Sequence, residues 1–63
     1  MTELGSRTKL INALKEILRT KTLTNTSVSE IISRAGVSRQ TFYRNFVDKY
    51  DLAFWIYREE VLK

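Results

Sequence analysis

The apolar residues in the first third of the chain recur at the spacing of one face of an α-helix. Between about Thr8 and Thr20 they stand at positions i, i+1, i+4, i+7 and i+8: Leu10, Ile11, Leu14, Ile17 and Leu18. Lysine, glutamate and arginine side chains occupy most of the opposite side of the same helix. This pattern predicts an amphipathic helix that packs its apolar face against a small core.

Three further helices are predicted from the residues at their ends. Ser27 and Glu30 form a capping-box pattern, in which each side chain accepts a hydrogen bond from the other residue's backbone N–H. Gly36 fits the left-handed position just after a helix, while Ser38 and Asp48 are placed as N-caps of a third and a fourth helix. A hydrophobic staple is expected around each of these two caps, from Val37 with Phe42 and from Val47 with Leu52.

The link between the second and third helices is short and begins with a glycine. It consists of Gly36, Val37 and Ser38, and two short helices joined by such a turn form a helix-turn-helix. The predicted fold is therefore all-α: a three-helix bundle with a homeodomain-like helix-turn-helix, followed by the start of a fourth helix. Residues 1–7 are predicted to be a disordered tail, and residues 8–63 to form the helix-turn-helix domain.

The third helix separates its apolar side chains from its polar ones. At about 100° per residue, its two phenylalanines fall on one side, and Gln40, Tyr43 and Arg44 fall on the opposite arc. Arg39 lies at the edge of that arc, at the helix N-terminus, from which a long side chain can swing outward. The other edge is flanked by Thr41 and Asn45.

This polar arc has the chemistry of a helix that reads the major groove of DNA. Arginine bonds O6 and N7 of guanine, and glutamine bonds N6 and N7 of adenine, so Arg39 and Gln40 are candidates for base contacts. Hydroxyl and ammonium groups bond phosphates, which makes Tyr43 and Lys49 candidates for the DNA backbone. The alternative for all four residues is an ordinary packed or solvated face.

The sequence allows two roles for each of three neighbouring residues. Ser27 is foremost a helix cap, although its hydroxyl can also meet a phosphate. Asn45 fits either a cap at the end of the third helix or a phosphate contact. Arg44 fits a backbone or solvent contact better than a base contact.

Charge and composition narrow the partner and exclude several classes of function. The net charge is +4, and residues 1–49 carry nine basic and four acidic residues, a surplus of 9 − 4 = +5, which favours a polyanionic partner. Histidine and cysteine are both absent, which removes the commonest general base and the thiolate metal ligands. We therefore expect no enzymatic activity, no cofactor and no metal site.

No feature of the sequence predicts a membrane or secreted protein. The apolar runs are shorter than the ~20 residues of a membrane-spanning helix, and no signal-peptide pattern is present. A cytoplasmic protein without membrane contact is the expectation.

The fourth helix is apolar on two sides. Its first face contains Leu52, Ala53 and Ile56, and its second contains Phe54 and Trp55, continued by Val61 and Leu62. Because a helix that is apolar on two sides has neighbours on both, we expect the chain to be part of a longer protein. The alternative is that Phe54 and Trp55 cover the edge of the small core or pair two copies of the chain.

The run TSVSEIISRAGVSRQTFYRNFVDKYDL closely resembles the DNA-binding region of TetR-family transcriptional regulators. Those proteins share the pattern T-hydrophobic-x-x-I-A-x-x-A-G-V-S-x-x-T-x-Y-x-x-F-x-x-K-x-x-L. Matching residues stand at Val28, Ile31, Ala35, Gly36, Val37, Ser38, Thr41, Tyr43, Phe46, Lys49 and Leu52. The resemblance covers roughly residues 8–60, with departures at Ile32, where the pattern has a small residue, and at Asn45, where histidine is commonest.

The resemblance implies a role for each polar residue of the motif. Phosphate contacts are implied for Ser27, Thr41, Tyr43 and Lys49, and Arg44 is grouped with them. Contacts with bases or the nearby backbone are implied for Arg39, Gln40 and Asn45.

The resemblance also implies the partners of the protein. The direct partner is double-stranded operator DNA, and the full-length protein is expected to be a homodimeric regulator of the repressor type. A further all-helical domain, absent from these 63 residues, is expected to bind a small-molecule effector and to dimerise, so that this chain alone is monomeric or weakly associating. The stretch DKYDLAFWIYRE resembles the subgroup that contains dihydroxyacetone-kinase regulators.

Two alternatives from other classes stand beside this prediction. One is another class of helix-turn-helix protein, in which the order of the helices differs. The other is a small protein-interaction module that uses the surface of Phe54 and Trp55 without DNA. Binding to duplex DNA that weakens with salt separates the second from a DNA-binding domain, because an apolar interface tolerates salt.

Overall fold

The computed structural model of the protein describes the backbone of residues 2–61 and the side chains of residues 5–59. This part of the chain forms four α-helices: α1 Thr2–Ile17, α2 Val28–Ala35, α3 Arg39–Asn45 and α4 Lys49–Val61. It contains no β-strand, so the expected all-α fold is confirmed.

The first helix is the centre of the packing, because it contacts each of the other three. Its Leu10, Leu14 and Ile17 are buried, as its apolar stripe predicts. The other helices add Ile31, Phe42, Phe46 and Leu52 to the same core. Since α2 and α3 both pack on α1, the helix-turn-helix is held from behind by one continuous apolar surface.

The first helix begins earlier and ends earlier than the sequence pattern indicates. In place of the tail expected over residues 1–7, α1 starts at Thr2. The guanidinium carbon of Arg7 lies 5.0 Å from the ring centre of Trp55 and 5.5 Å from that of Phe46, and such cation–π contacts stabilise this end of the helix. At its other end α1 stops at Ile17 rather than about residue 20, because the backbone N–H groups of Arg19 and Thr20 bond in the tighter i to i−3 pattern.

The predicted caps of α2 are present, with one difference. The Ser27 Oγ atom accepts the Glu30 backbone N–H at 3.1 Å, and Gly36 adopts the left-handed conformation with φ 74°. The Glu30 carboxylate, however, does not complete the capping box. It accepts a hydrogen bond from the ammonium group of Lys21 instead.

The predicted N-caps of α3 and α4 are both present, but the predicted staple before α4 is not. The Ser38 Oγ atom accepts the Thr41 N–H at 3.1 Å, and Asp48 Oδ1 accepts the Asp51 N–H at 2.9 Å, so both caps are confirmed. The predicted staple of Val47 is wrong, because Val47 is 76% exposed. Its backbone N–H donates to Asp51 Oδ2 at 2.9 Å, and this polar contact takes the place of the staple.

Two of the four residues assigned to a second apolar face of α4, Trp55 and Phe54, have different environments. Trp55 is half-buried against the core and is covered by Arg7, whereas Phe54 is 58% exposed. The side chain of Val61 and the residue Leu62, assigned to the same face, lie outside the described residues. Large exposed side chains recur along α4 at Tyr50, Phe54 and Tyr57.

Gly36→Ala should destabilise the domain, whereas Gly5→Ala should not. A Cβ at either position meets no atom within 4 Å, so the two changes differ only in backbone conformation. The left-handed conformation of Gly36 costs about 1–2 kcal/mol for an L-residue, while alanine in the helix at Gly5 stabilises by up to about 1 kcal/mol. Urea unfolding of both variants measures the difference, and equal midpoints would contradict the assigned role of Gly36.

Candidate nucleic-acid interface

The third helix is anchored by its two phenylalanines. Phe42 is fully buried and Phe46 is 2% exposed, with their ring centres 6.0 Å apart. As predicted, the opposite arc of the helix lies at the surface: Gln40, Tyr43 and Arg44 are exposed. The core therefore fixes which side of α3 is available to a partner.

Tyr43 combines an exposed position with a fixed ring. The residue is 49% exposed, and its ring meets that of Phe42 edge to face, with centres 5.0 Å apart and planes at 78°. This geometry is a favourable one for an aromatic pair. The contact orients the tyrosine from the core while leaving half of it accessible.

Arg39 lies across the turn of the helix-turn-helix rather than extending freely from α3. Its guanidinium group donates a hydrogen bond to the Ser29 Oγ atom on α2. Since a guanidinium group has five N–H donors, this single bond leaves donors for a further acceptor. The bond was not anticipated from the sequence, because the two residues belong to different helices.

Thr41 and Asn45 are engaged within α3 and are half-buried. The Thr41 hydroxyl shares a hydrogen bond of 2.9 Å with the Ser38 hydroxyl. The Asn45 amide nitrogen donates to the Thr41 carbonyl oxygen at 2.9 Å. Of the two sequence interpretations of Asn45, the one that is visible here is a contact with the backbone at the end of its own helix.

Lys49 makes the most extensive side-chain contact of this region. Its Nζ atom donates to the carbonyl oxygens of Thr26 at 2.6 Å, Leu23 at 2.8 Å and Thr24 at 3.3 Å. An ammonium group has three donors, so all of them are engaged. A phosphate contact by Lys49, as expected from the sequence, therefore requires the loss of at least one carbonyl partner.

The N-terminus of α2 carries an ion pair beside the Ser27 cap. The Lys21 ammonium lies 2.5 Å from Glu30 Oε2, with both side chains partly exposed. The hydrogen bond from Lys21 lowers the pKa of Glu30 below its ordinary value of 4.5. Partial desolvation opposes this shift and is the second-largest effect on the pKa of Glu30, while the charge of Lys21 and the Ser27 backbone contact add smaller effects that lower it.

Acid should weaken the domain in part through Glu30. Because the pKa of Glu30 is lower in the folded state, its contribution to the free energy of unfolding is present above its unfolded pKa and disappears as the pH falls through the folded one. Glu30→Gln removes this ionisation, so the variant should show a smaller loss of stability between neutral and acidic pH. Urea unfolding at several pH values measures it, and identical pH profiles would contradict the role of the pair. The effect is small, because the pair is exposed to solvent.

Two properties of the described residues bear on other functions. No group of three or more acidic side chains lies close enough to hold a metal ion. No helix in the described range is both long and apolar enough to cross a membrane.

The comparison with protein families identifies the motif. Residues 10–54 match the family described as "Bacterial regulatory proteins, tetR family", over more than two thirds of the 63 residues. The match runs from α1 into α4 and includes the whole helix-turn-helix. Neither the comparison with curated proteins nor that with solved structures gives a match. The chain belongs to the TetR family, in which it is the helix-turn-helix DNA-binding domain of a transcriptional regulator and not an enzyme.

Proposed function

We propose that the protein binds one half-site of an operator by placing α3 in the major groove, with Arg39 and Gln40 against base edges. The observation that carries this proposal is the exposed polar arc opposite the buried Phe42. Helix-turn-helix proteins read the major groove with the N-terminal part of the second helix of the motif. Arg39 and Gln40 are the first two residues of that helix.

The proposed contacts with the DNA backbone come from residues around this reading helix. Exposure favours Ser27, Tyr43 and Arg44 as phosphate contacts, since hydroxyl and guanidinium groups bond phosphate oxygens and fix the register of the protein. The half-buried Thr41 is proposed in the same role, through a hydroxyl that already bonds Ser38.

For Asn45, a contact with bases or nearby backbone stays a prediction. Its amide nitrogen donates one of its two N–H groups to its own helix, so the second N–H and the amide oxygen are the groups that we propose for this contact. The N–H can donate to a phosphate oxygen or to a base acceptor, and the oxygen can accept from a donor such as the cytosine amino group.

We further propose that the protein acts as part of a cytoplasmic homodimer with a second domain. The exposed aromatic stripe of Tyr50, Phe54 and Tyr57 at i, i+4 and i+7 of α4 supports this proposal, because such a stripe is typical of a helix with a neighbour. Two copies would present their reading helices about 34–36 Å apart on a two-fold operator. A small-molecule effector acts through the second domain, and a relation to the dihydroxyacetone-kinase regulators rests only on the sequence DKYDLAFWIYRE.

The exposed ring of Phe54 supports the alternative function, a protein-interaction module, whereas the environment of Trp55 does not. Phe54 is 58% exposed and is flanked by the Arg58 guanidinium, 5.9 Å from its ring centre. Trp55, the other residue of that surface, is half-buried and stacked on Arg7. This leaves a smaller apolar surface than the sequence suggests.

The test is a titration of the isotope-labelled chain with an operator half-site obtained by binding-site selection. The amide signals of Ser27 and of residues 39–45 should shift, and the logarithm of the affinity should fall linearly with the logarithm of the salt concentration. A duplex of scrambled sequence serves as the control for specific contacts. Shifts confined to the surface around Phe54, without salt dependence, would favour the interaction module and contradict the proposal.

A further inference from the structure

We infer that Lys49 is a positioning residue whose ammonium group holds the turn of residues 23–26 and thereby sets the N-terminus of α2 for DNA, instead of bonding a phosphate. The inference rests on the proposed function insofar as its effect is measured as DNA affinity. It is carried by three carbonyl contacts between segments that are more than twenty residues apart.

The position of Lys49 explains why carbonyl oxygens surround its ammonium group. Lys49 is the first residue of α4, and the N-terminus of a helix carries a partial positive charge that is unfavourable for a cation. The carbonyl oxygens of Leu23, Thr24 and Thr26 supply partial negative charge that offsets this effect. The residue is half-buried, so its contacts are shielded in part from water.

The turn that Lys49 holds leads directly into the cap of α2. Within it, the Thr26 N–H donates to the Leu23 carbonyl at 3.0 Å, and the Thr26 hydroxyl donates to the Thr22 carbonyl at 2.8 Å. Thr26 is only 1% exposed, and the next residue is the N-cap Ser27. Lys49 therefore connects the start of α4 to the start of α2 through a packed turn.

The three contacts also determine how Lys49 affects the salt dependence of DNA binding. A lysine that neutralises a phosphate releases about 0.9 counterions, which appears in the slope of log affinity against log salt. A lysine that remains hydrogen-bonded to carbonyl oxygens releases no counterion through direct contact with a phosphate. The two roles therefore differ in the salt dependence of binding, even where both lower the affinity when the lysine is removed.

The experiment compares Lys49→Met, Lys49→Arg and the charge-matched control Lys9→Met on the same operator half-site. Lys9 is exposed on α1 and is assigned no DNA contact. Lys49→Met should lower the affinity by about tenfold, the low end of the effect of losing hydrogen bonds to a charged group, with the same salt slope as Lys9→Met. Lys49→Arg should also lose affinity, because a planar guanidinium does not reproduce three donors at one point. Full affinity in Lys49→Arg together with a slope reduced by about 0.9 in Lys49→Met would overturn the inference in favour of a phosphate contact.

A second measurement uses the free protein and is independent of DNA. In Lys49→Met, the backbone amides from Thr26 to Glu30 should exchange with deuterium faster than in the wild type, while those of α1 are unaffected beyond any global change. Unchanged exchange at these amides would overturn the inference. If wild-type DNA binding fails, the proposed function fails, but the exchange result still decides the role of Lys49.

The wild-type protein provides a check that needs no variant. An ammonium group bound to three carbonyls exchanges its protons with water slowly, so the Nζ signal of Lys49 should be visible by NMR and should stay at its position when DNA is added. A signal that is absent from the free protein, or that appears or moves only on addition of DNA, would contradict the inference.

Discussion

Replacing Phe42 with alanine should unfold the domain and remove DNA binding with it. Phe42 is fully buried and contacts the rings of both Tyr43 and Phe46. Phenylalanine-to-alanine changes in a core cost about 3–5 kcal/mol. Natural domains have only about 0.05–0.15 kcal/mol of stability per residue, so a chain of 63 residues cannot absorb much of this loss.

The measurement is far-UV circular dichroism with urea unfolding, and Tyr43→Ala is the matched control on the same helix. Tyr43 is half exposed, so its removal should leave the domain folded with a modest loss from the edge-to-face pair, about 0.5–1.5 kcal/mol. The same control should weaken DNA binding if Tyr43 contacts phosphate. A folded Phe42→Ala variant, or an equal loss of stability in both, would contradict the division of α3 into a buried and an exposed face.

The elements that the sequence predicted correctly depend on residues close together in the chain. The caps at Ser27 and Ser38 each use a backbone N–H three residues later, and Gly36 has the one backbone conformation that favours glycine. The buried and exposed sides of α3 follow from the helical period alone. Local chemistry therefore predicted the helix-turn-helix almost completely.

The features that the sequence did not predict depend on contacts between distant elements. The carbonyl partners of Lys49 are 23 to 26 residues away, and Arg7 stacks on Trp55 of another helix. No periodicity indicates such pairs, because they exist only after α1 and α4 have packed. The place of Lys49 at the start of α4 follows from the sequence, whereas its proximity to the turn of residues 23–26 does not.

The failed staple at Val47 shows how a competing local contact changes an outcome. The pattern at Asp48 has a hydrophobic residue on each side at the right spacing, yet Asp51 bonds the Val47 N–H instead. A carboxylate in the first turn of a helix is itself favourable there. Two local signals thus competed for the same position, and the sequence pattern alone did not rank them.

Arg39→Ala should remove discrimination at one base pair of the half-site while leaving the fold and the general affinity for DNA largely intact. A bidentate arginine contact with guanine contributes about 1–3 kcal/mol against the wrong base, which corresponds to a factor of roughly 5 to 150 in relative affinity. The hydrogen bond from Arg39 to the Ser29 hydroxyl holds the side chain near the turn before binding. Its guanidinium keeps donors for a base after that bond is made, so Ser29→Ala should change the discrimination much less than Arg39→Ala.

The measurement is the binding of each variant to a panel of half-sites changed at one base pair at a time. Arg34→Ala is the charge-matched control, since Arg34 is exposed in the last turn of α2 and lies in a groove with Lys9 and Glu16 of α1. Both arginine variants lose one positive charge, so a general electrostatic contribution lowers both affinities about equally on every half-site. Only the loss of a base contact makes Arg39→Ala bind the alternative base pairs at a single position of the half-site with equal affinity. A uniform reduction across the panel, equal to that of Arg34→Ala, would show that Arg39 acts through its charge and would transfer the reading of bases to Gln40 and its neighbours.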